Sequence, residues 1–505
     1  MELRPVEASY YGLHELDGRL PEGSLAAAQE ELALIAGLDA ELAGAEAGLE
    51  TDVARYYAAL ARFQAEEMRL WSRMPDAADV IGTGLFLLFA RDSAPLEERL
   101  QSIASRLEAV PGYLQASHER LTDPVELWVR IGAESAGGLP ALYASVVAAA
   151  PEGGLKRRLE LAAAAASEAT ESYTRWLLED ALPRARPDWA LGEARFERLV
   201  ALRRLPDSPQ AIRALGERYL AEFKEERARL LAEHWPGRTL EDVNQLVRSQ
   251  HAESFEAALE EYRQVIAAAR TFVAEGGLAT IPANEELRVE PTPGFLRPVI
   301  PFAAYEPPAR FEDHQLGIYI VTPHDDGLGE HNHAAILNTS VHEAYPGHHL
   351  QFSSANQHPS LARLLAGEYA TELIEGWAHY CEQLMYEQGF AAGPELRFVQ
   401  LNDLIWRACR IVLDVDLSCG RLGVQEGVDT LVREAAMDPA AALAEVRRYT
   451  FTPGYQLSYL YGRHLLAELR ERRRQAEGPA FQLRAFHDRL LYAGSLPAAF
   501  WKELF

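Results

Sequence analysis

Seven prolines fall between Gly276 and Thr322 (Pro282, Pro291, Pro293, Pro298, Pro301, Pro307 and Pro308). Each removes a backbone donor and clashes with the turn before it, so no continuous helix can cross this stretch. The chain on either side reads as helix. From about Ser24 to Val273 amphipathic segments rich in Ala, Leu, Glu and Arg follow one another. Ser93-Ala94-Pro95 and Ser208-Pro209 mark two helix starts, and "PEGG" (151–154) and "WPGR" (235–238) separate neighbouring helices. Helical patterning resumes near Ala334 and runs to the end. Within the proline-rich segment, "GIYIVT" (317–322) is β-branched and aromatic and predicts a short strand. The expected architecture is mainly α: an N-terminal helical lobe (1–275) and a second lobe (276–505), packed as one continuous unit, with a small β element between the helical regions.

The formal charge of −26 disfavours a nucleic-acid partner, because phosphate would be repelled over most of the surface. The apolar run Val80–Ala90 ("VIGTGLFLLFA") is too short to cross a bilayer and predicts a buried helix, so no membrane partner is expected. The first residues lack a basic region followed by an apolar stretch, which sets the expected location in the cytoplasm. Cys381, Cys409 and Cys419 form no CxxC pair and suit a reducing compartment.

The chemistry concentrates in "VHEAYPGHHL" (341–350). Two histidines four residues apart on a regular helix share a face and can hold one zinc. Here position 346 is proline, and His348 and His349 stand six and seven residues after His342. On an unbroken helix six residues rotate the second side chain away by roughly 120°, and seven separate the pair by about 10 Å. Pro346 cannot donate to the carbonyl of His342, and Gly347 tolerates backbone angles other residues avoid. A two-residue bulge at this step would return His348 beside His342. The competing reading is a helix that ends at Pro346 with exposed histidines beyond it.

A third ligand is available in "YATELIEGWAHYCEQLMYE" (369–387). At about 100° per residue, Glu372, Glu375, His379 and Glu382 share a sector of roughly 80°. Apolar neighbours such as Leu373, Trp377 and Leu384 predict that the helix is buried, where unpaired carboxylates are costly. Two histidines, a glutamate beside the first and a carboxylate helix downstream supply the parts for metal-assisted hydrolysis. In "TPGYQLSYLYGRH" (452–464), Tyr455, Tyr459 or Tyr461 could donate to a developing oxyanion, or could fill a helix seam.

Taken together, "YYGLHELDGRLPE" (10–22), "HEAYPGHHLQ" (342–351), "EGWAHYCE" (375–382), "PGYQLSYLYGR" (453–463) and "FHDRLLYAGSLP" (486–497) resemble domain-of-unknown-function family 885 over nearly the whole chain. Members of that bacterial family are regarded as zincin-like metallopeptidases. A weaker similarity links the HE…GH and downstream Glu pattern to the angiotensin-converting, thimet-oligopeptidase and Taq-carboxypeptidase families. Their fold is helical and two-lobed, with a deep cleft and a short sheet beside the metal helix. The resemblance implies one zinc per chain on His342, His348 and Glu375, with Glu343 as general base and Tyr459 as oxyanion donor. It keeps His349 as rival to His348, and His379, Glu382 and Glu372 as supporting or alternative ligands. Where the family is expected to carry histidine, "LDVDLSCG" (413–420) has Ser418, which puts substrate binding there in question.

The leading expectation is a zinc peptidase acting on short peptides, with the strand at 317–322 offering an edge to extended substrate. A metal-dependent amidase on non-peptide amides is the neighbouring enzyme reading. A non-catalytic metal-binding helical protein is the contrasting one: the altered HExxH spacing and Ser418 favour it, and intact Glu343 speaks against it.

Overall fold

The computed structural model describes residues 1–292, 303–323, 327–390 and 392–505. Among these residues the chain is mainly helical with one small sheet. Pro293, Pro298 and Pro301, three of the prolines that bar a helix from this region, lie outside the described residues.

Four helices after the N-terminal segments, α1 (Ala77–Ala90), α2 (Leu96–Arg120), α3 (Glu126–Ala149) and α4 (Gly154–Trp176), close around one apolar cluster. The run Val80–Ala90 is helical within α1, with Leu85 and Leu88 buried. The start of α2 differs in detail from the sequence reading. Pro95 itself occupies the capping position, with no side-chain cap, and Ser93 is not used. Arg99 takes over the tethering: Nε donates to the Ala94 carbonyl at 2.8 Å and Nη2 to Asp92 at 3.0 Å. The second expected start is seen as read, since Ser208 Oγ accepts from Ala211 N and Pro209 opens α5 (Pro209–His234). At "WPGR" α5 ends, and a Thr239–Asp242 capping box begins α6 (Leu240–Arg248). Next comes α7 (Phe255–Glu275), capped by Ser254.

The sheet has strands β1 (Glu285–Pro291), β2 (Ala303–Glu306) and β3 (Gln315–Val321) in the order β1-β3-β2. β1 runs parallel to β3, with Val289 opposite Tyr319; β2 runs antiparallel, with Tyr305 opposite the same residue. The β-branched run at 317–322 therefore forms the central strand, which explains its near-continuous burial. Its expected role as a free edge is overturned, because both of its sides are paired. Ile318 and Ile320 point into the α1–α4 cluster, whereas Tyr319 and Val321 join the larger core on the other face.

That larger core crosses residue 275. It joins Tyr56, Phe223 and Tyr262 to Val341, Trp377, Leu460 and Trp501. The helices that complete it are α8 (His333–Glu343), α9 (His348–Ala355), α10 (Thr371–Glu387), α11 (Pro394–Ser418) and α12 (Ser458–Glu477).

Candidate metal centre

Asn332 caps α8 by accepting from Ala335 N at 3.0 Å. The helix ends where Ala344 leaves the helical region (φ −108°, ψ −91°), and α9 starts afresh at His348. The Pro346-Gly347 step is thus a break and restart rather than a bulge inside one helix. Gly347 N donates back to the Val341 carbonyl at 3.1 Å. A Cβ on Gly347 would sit 1.8 Å from the His342 carbonyl oxygen, so only glycine permits the chain to fold back this closely. Trp377 Nε1 donates to the Pro346 carbonyl at 2.7 Å and fixes the corner onto α10. The outcome is the one the spacing required: the His342 and His348 rings lie 4.8 Å apart, nearly perpendicular.

Opposite them, α10 meets α12 backbone to backbone. A Cβ on Gly376 would come within 2.5 Å of Gly462 C, so the two helices touch where neither carries a side chain. This contact sets the tyrosines before and within α12 against Glu375. Tyr455 Oη donates to Glu375 Oε1 at 2.6 Å, leaving Oε2 3.6 Å from His348 Nε2. Donor atoms of His342, His348 and Glu375 all lie within 4.8 Å of one another. Burial disfavours the Glu375 charge, but the neighbouring His348 and His342 and the Tyr455 hydrogen bond outweigh it and hold the carboxyl well below its usual range.

On the far side of His342, its Nδ1 lies 2.7 Å from Glu382 Oε1. Against its own burial, Glu382 is held below the usual carboxylate range by His379 and by the His342 hydrogen bond and charge. His342 is pushed up despite desolvation, chiefly through the bond to Glu382 and the Glu343 charge. His342, His379 and Glu382 form a second group of potential ligands within the same 4.8 Å limit.

Other candidates go elsewhere. His349 is fully buried and uses both ring nitrogens, Nε2 with Glu285 Oε2 at 2.7 Å and Nδ1 with the Tyr305 hydroxyl at 3.0 Å. Glu372 is committed to a buried ion pair with Arg203 and stands outside both groups. Tyr461 donates to Asp207 at 2.8 Å. Tyr459 remains near the centre, its ring 6.0 Å from those of His379 and Tyr455 and 4.5 Å from the Arg410 guanidinium. Burial and the Glu375 charge push its phenol up to about 12, against the pull of Arg410.

Glu343 is partly exposed and lines a cleft of about 670 Å³ together with His342, Glu382, Asp403, Trp406 and Arg407. Two imidazoles and one carboxylate are a donor set suited to a divalent ion, and among the described residues His348 Nδ1 and both His379 nitrogens are buried without a hydrogen-bond partner. The residues fit a bound zinc.

The profile of the family described as "Bacterial protein of unknown function (DUF885)" matches residues 5–504. The chain belongs to the DUF885 family. Two solved structures share its fold, both described as candidate lipoproteins. One, of unknown function, is from Shewanella oneidensis: 24% identity, TM-score 0.78, 99% of this chain and 96% of that one covered. The other is from Colwellia psychrerythraea: 20% identity, TM-score 0.85, 100% and 95% covered. No curated protein matches the sequence.

In this DUF885 chain Ser418 is buried, and its hydroxyl donates to Asp414 at 3.2 Å. Asp414 in turn accepts from the backbone N–H of Gly454 and Leu457, at 2.8 and 2.9 Å, and so anchors the segment bearing Tyr455 and Tyr459. Sequence reading missed Asp414, the Tyr455–Glu375 bond and the Glu285 partnership. The aspartate four residues before Ser418 was the one visible signal for the first; nothing local announces the last.

Proposed function

We propose that this chain is a metal-dependent peptidase acting on short peptides, with zinc held by His342, His348 and Glu375. The observation that carries the reading is the convergence of these three side chains, from three different helices, beside a cleft lined by Glu343. Bound there, zinc would polarise a water and the scissile carbonyl. Glu343 accepts the proton of the attacking water and returns it to the leaving amine. Tyr459 donates to the developing oxyanion. Tyr455 and Glu382 fix the orientation of Glu375 and His342, the supporting role that ligand partners play in such sites.

Substrate placement follows from the sheet. With β3 central, the strand beside the site is β2, whose Tyr305 ring lies near-parallel to His348 at 6.4 Å. Among the described residues β2 pairs only with β3, so its other side can take an extended peptide. β1 is less suited, because Arg263 already occupies the Val289 carbonyl at 2.9 Å. The zincin-like, two-lobed character of the fold belongs to this proposal, as does a cytoplasmic location, which the three free cysteines favour.

Elemental analysis of the purified protein, with hydrolysis of a short-peptide library, tests the reading. About one zinc per chain and its loss in His342→Ala are expected. A protein that takes up no divalent ion after metal-supplemented expression refutes it.

A further inference from the structure

His379 is fully buried, and among the described residues neither of its ring nitrogens has a hydrogen-bond partner. A buried imidazole normally satisfies at least one nitrogen, as His349 and His487 do here. The zinc seat proposed above leaves this anomaly unexplained, since it uses His348 and Glu375.

What faces His379 is a set of metal donors. Its Nδ1 lies 3.7 Å from Glu382 Oε1, and His342 Nδ1 lies 2.7 Å from that same oxygen. The His342 and His379 rings are 5.4 Å apart and nearly perpendicular. Asn338 Nδ2 steadies the other Glu382 oxygen at 3.3 Å, and His342 and Glu382 border the cleft, which gives an ion a way in. Two guanidinium groups also act on His379: Arg407 on α11, paired with Asp403 at 3.0 Å, and Arg463 on α12, which donates to Gln383 at 3.4 Å.

We propose that His342, His379 and Glu382 form a second seat for a divalent ion, filled when metal is in excess and joined to the first through the His342 imidazole. The proposal rests on the first seat only for that shared ring. Two nitrogens and one carboxylate oxygen favour zinc, cobalt or copper over magnesium or calcium. Binding replaces the proton on His342 Nδ1 by the ion; the proton leaves to buffer, and no oxidation state changes. Because the second ion takes Glu382 away from its orienting bond to His342, high metal concentration is expected to inhibit turnover.

The test is titration of metal-free, full-length protein with Cu(II), counting equivalents and following the electron paramagnetic resonance signal. The first equivalent should give an isolated-ion signal, and the second should quench it, because spins bridged by one imidazolate couple. His379→Gln should lose the second equivalent and keep the first signal, whereas His348→Ala should lose the first seat and keep one ion that depends on His379. A second equivalent that is absent, or that His379→Gln leaves in place, refutes the seat. One that binds without quenching refutes the shared ring. If the chain takes one ion, lost in His348→Ala and kept in His379→Gln, the second seat fails and the peptidase reading stands. If His348→Ala changes nothing while His379→Gln removes an ion, the first seat fails instead. The wild-type titration alone decides the matter should a variant not fold.

Discussion

His348 and His349 are consecutive residues in the first turn of α9, both buried, yet they face opposite kinds of surroundings. His349 points to the sheet, where Glu285 and Tyr305 engage both of its nitrogens and burial pushes the ring down against the pull of Glu285. Tyr345 and Arg270 add their own bonds to Glu285, with Arg270 Nε at 2.9 Å. His348 points to Glu375, and among the described residues its Nδ1 has no hydrogen-bond partner. A fully satisfied ring holds structure together, whereas a buried ring with a nitrogen to spare is available to a ligand. Satisfaction of the ring nitrogens separates the two residues where spacing along the chain left them as rivals.

Glu343 gives the sharpest way to break this contrast on the metal-facing side. Glu343→Gln should slow peptide hydrolysis by about 10²–10⁴-fold, the range for loss of a general base, while zinc content stays unchanged. Full activity in this variant would remove the proposed mechanism. Tyr459→Phe is expected to lower kcat by about 10–10³-fold. An unchanged rate would transfer the donor role to Tyr455, since Tyr461 is committed to Asp207.

On the sheet-facing side the readout changes from rate to stability. His349→Ala leaves Glu285 and Tyr305 short of a partner in a buried position and should cost about 3 kcal/mol in chemical denaturation, with the bound ion retained. Loss of the ion with stability intact would reverse the assignment of the two histidines.

His487 belongs with His349. Its Nδ1 donates to the Leu278 carbonyl at 2.7 Å and its Nε2 accepts from Tyr380 at 2.9 Å. Burial pushes it down to about 4, so between that value and the ordinary one near 6.5 the unfolded chain binds the extra proton. Stability should therefore be full above pH 6.5 and fall as pH drops towards 4, by about 2 kcal/mol at pH 5. Denaturation midpoints at pH 5 and pH 8 should differ by less in His487→Gln. An equal difference in both proteins would mean that the ring is not held neutral.

The helical class, the short strand and the segments that carry the site were legible because periodicity, caps and proline placement act locally. The family resemblance singled out His342, His348, Glu343 and Glu375, and the fold brings the first, second and fourth of these together. The partners that decide roles came from far along the chain. Glu285 lies 64 residues before His349. The central position of β3 depends on two strands recruited from either side of it in space. The same physics explains why a bulge was the natural expectation at Pro346: local geometry asks only that His348 return, and the packing of Trp377 on the corner selects a full break.

Ser418 offers the mildest test. In the sequence it occupies the position where the family resemblance implies a histidine; in the fold it is a buried hydroxyl behind the tyrosine segment, acting through Asp414. Ser418→Ala should cost about 1 kcal/mol of stability, the net worth of one buried hydrogen bond. Because Asp414 keeps its two backbone donors, KM should hardly move. A large rise in KM with normal stability would place Ser418 in contact with substrate and return it to the metal-facing class.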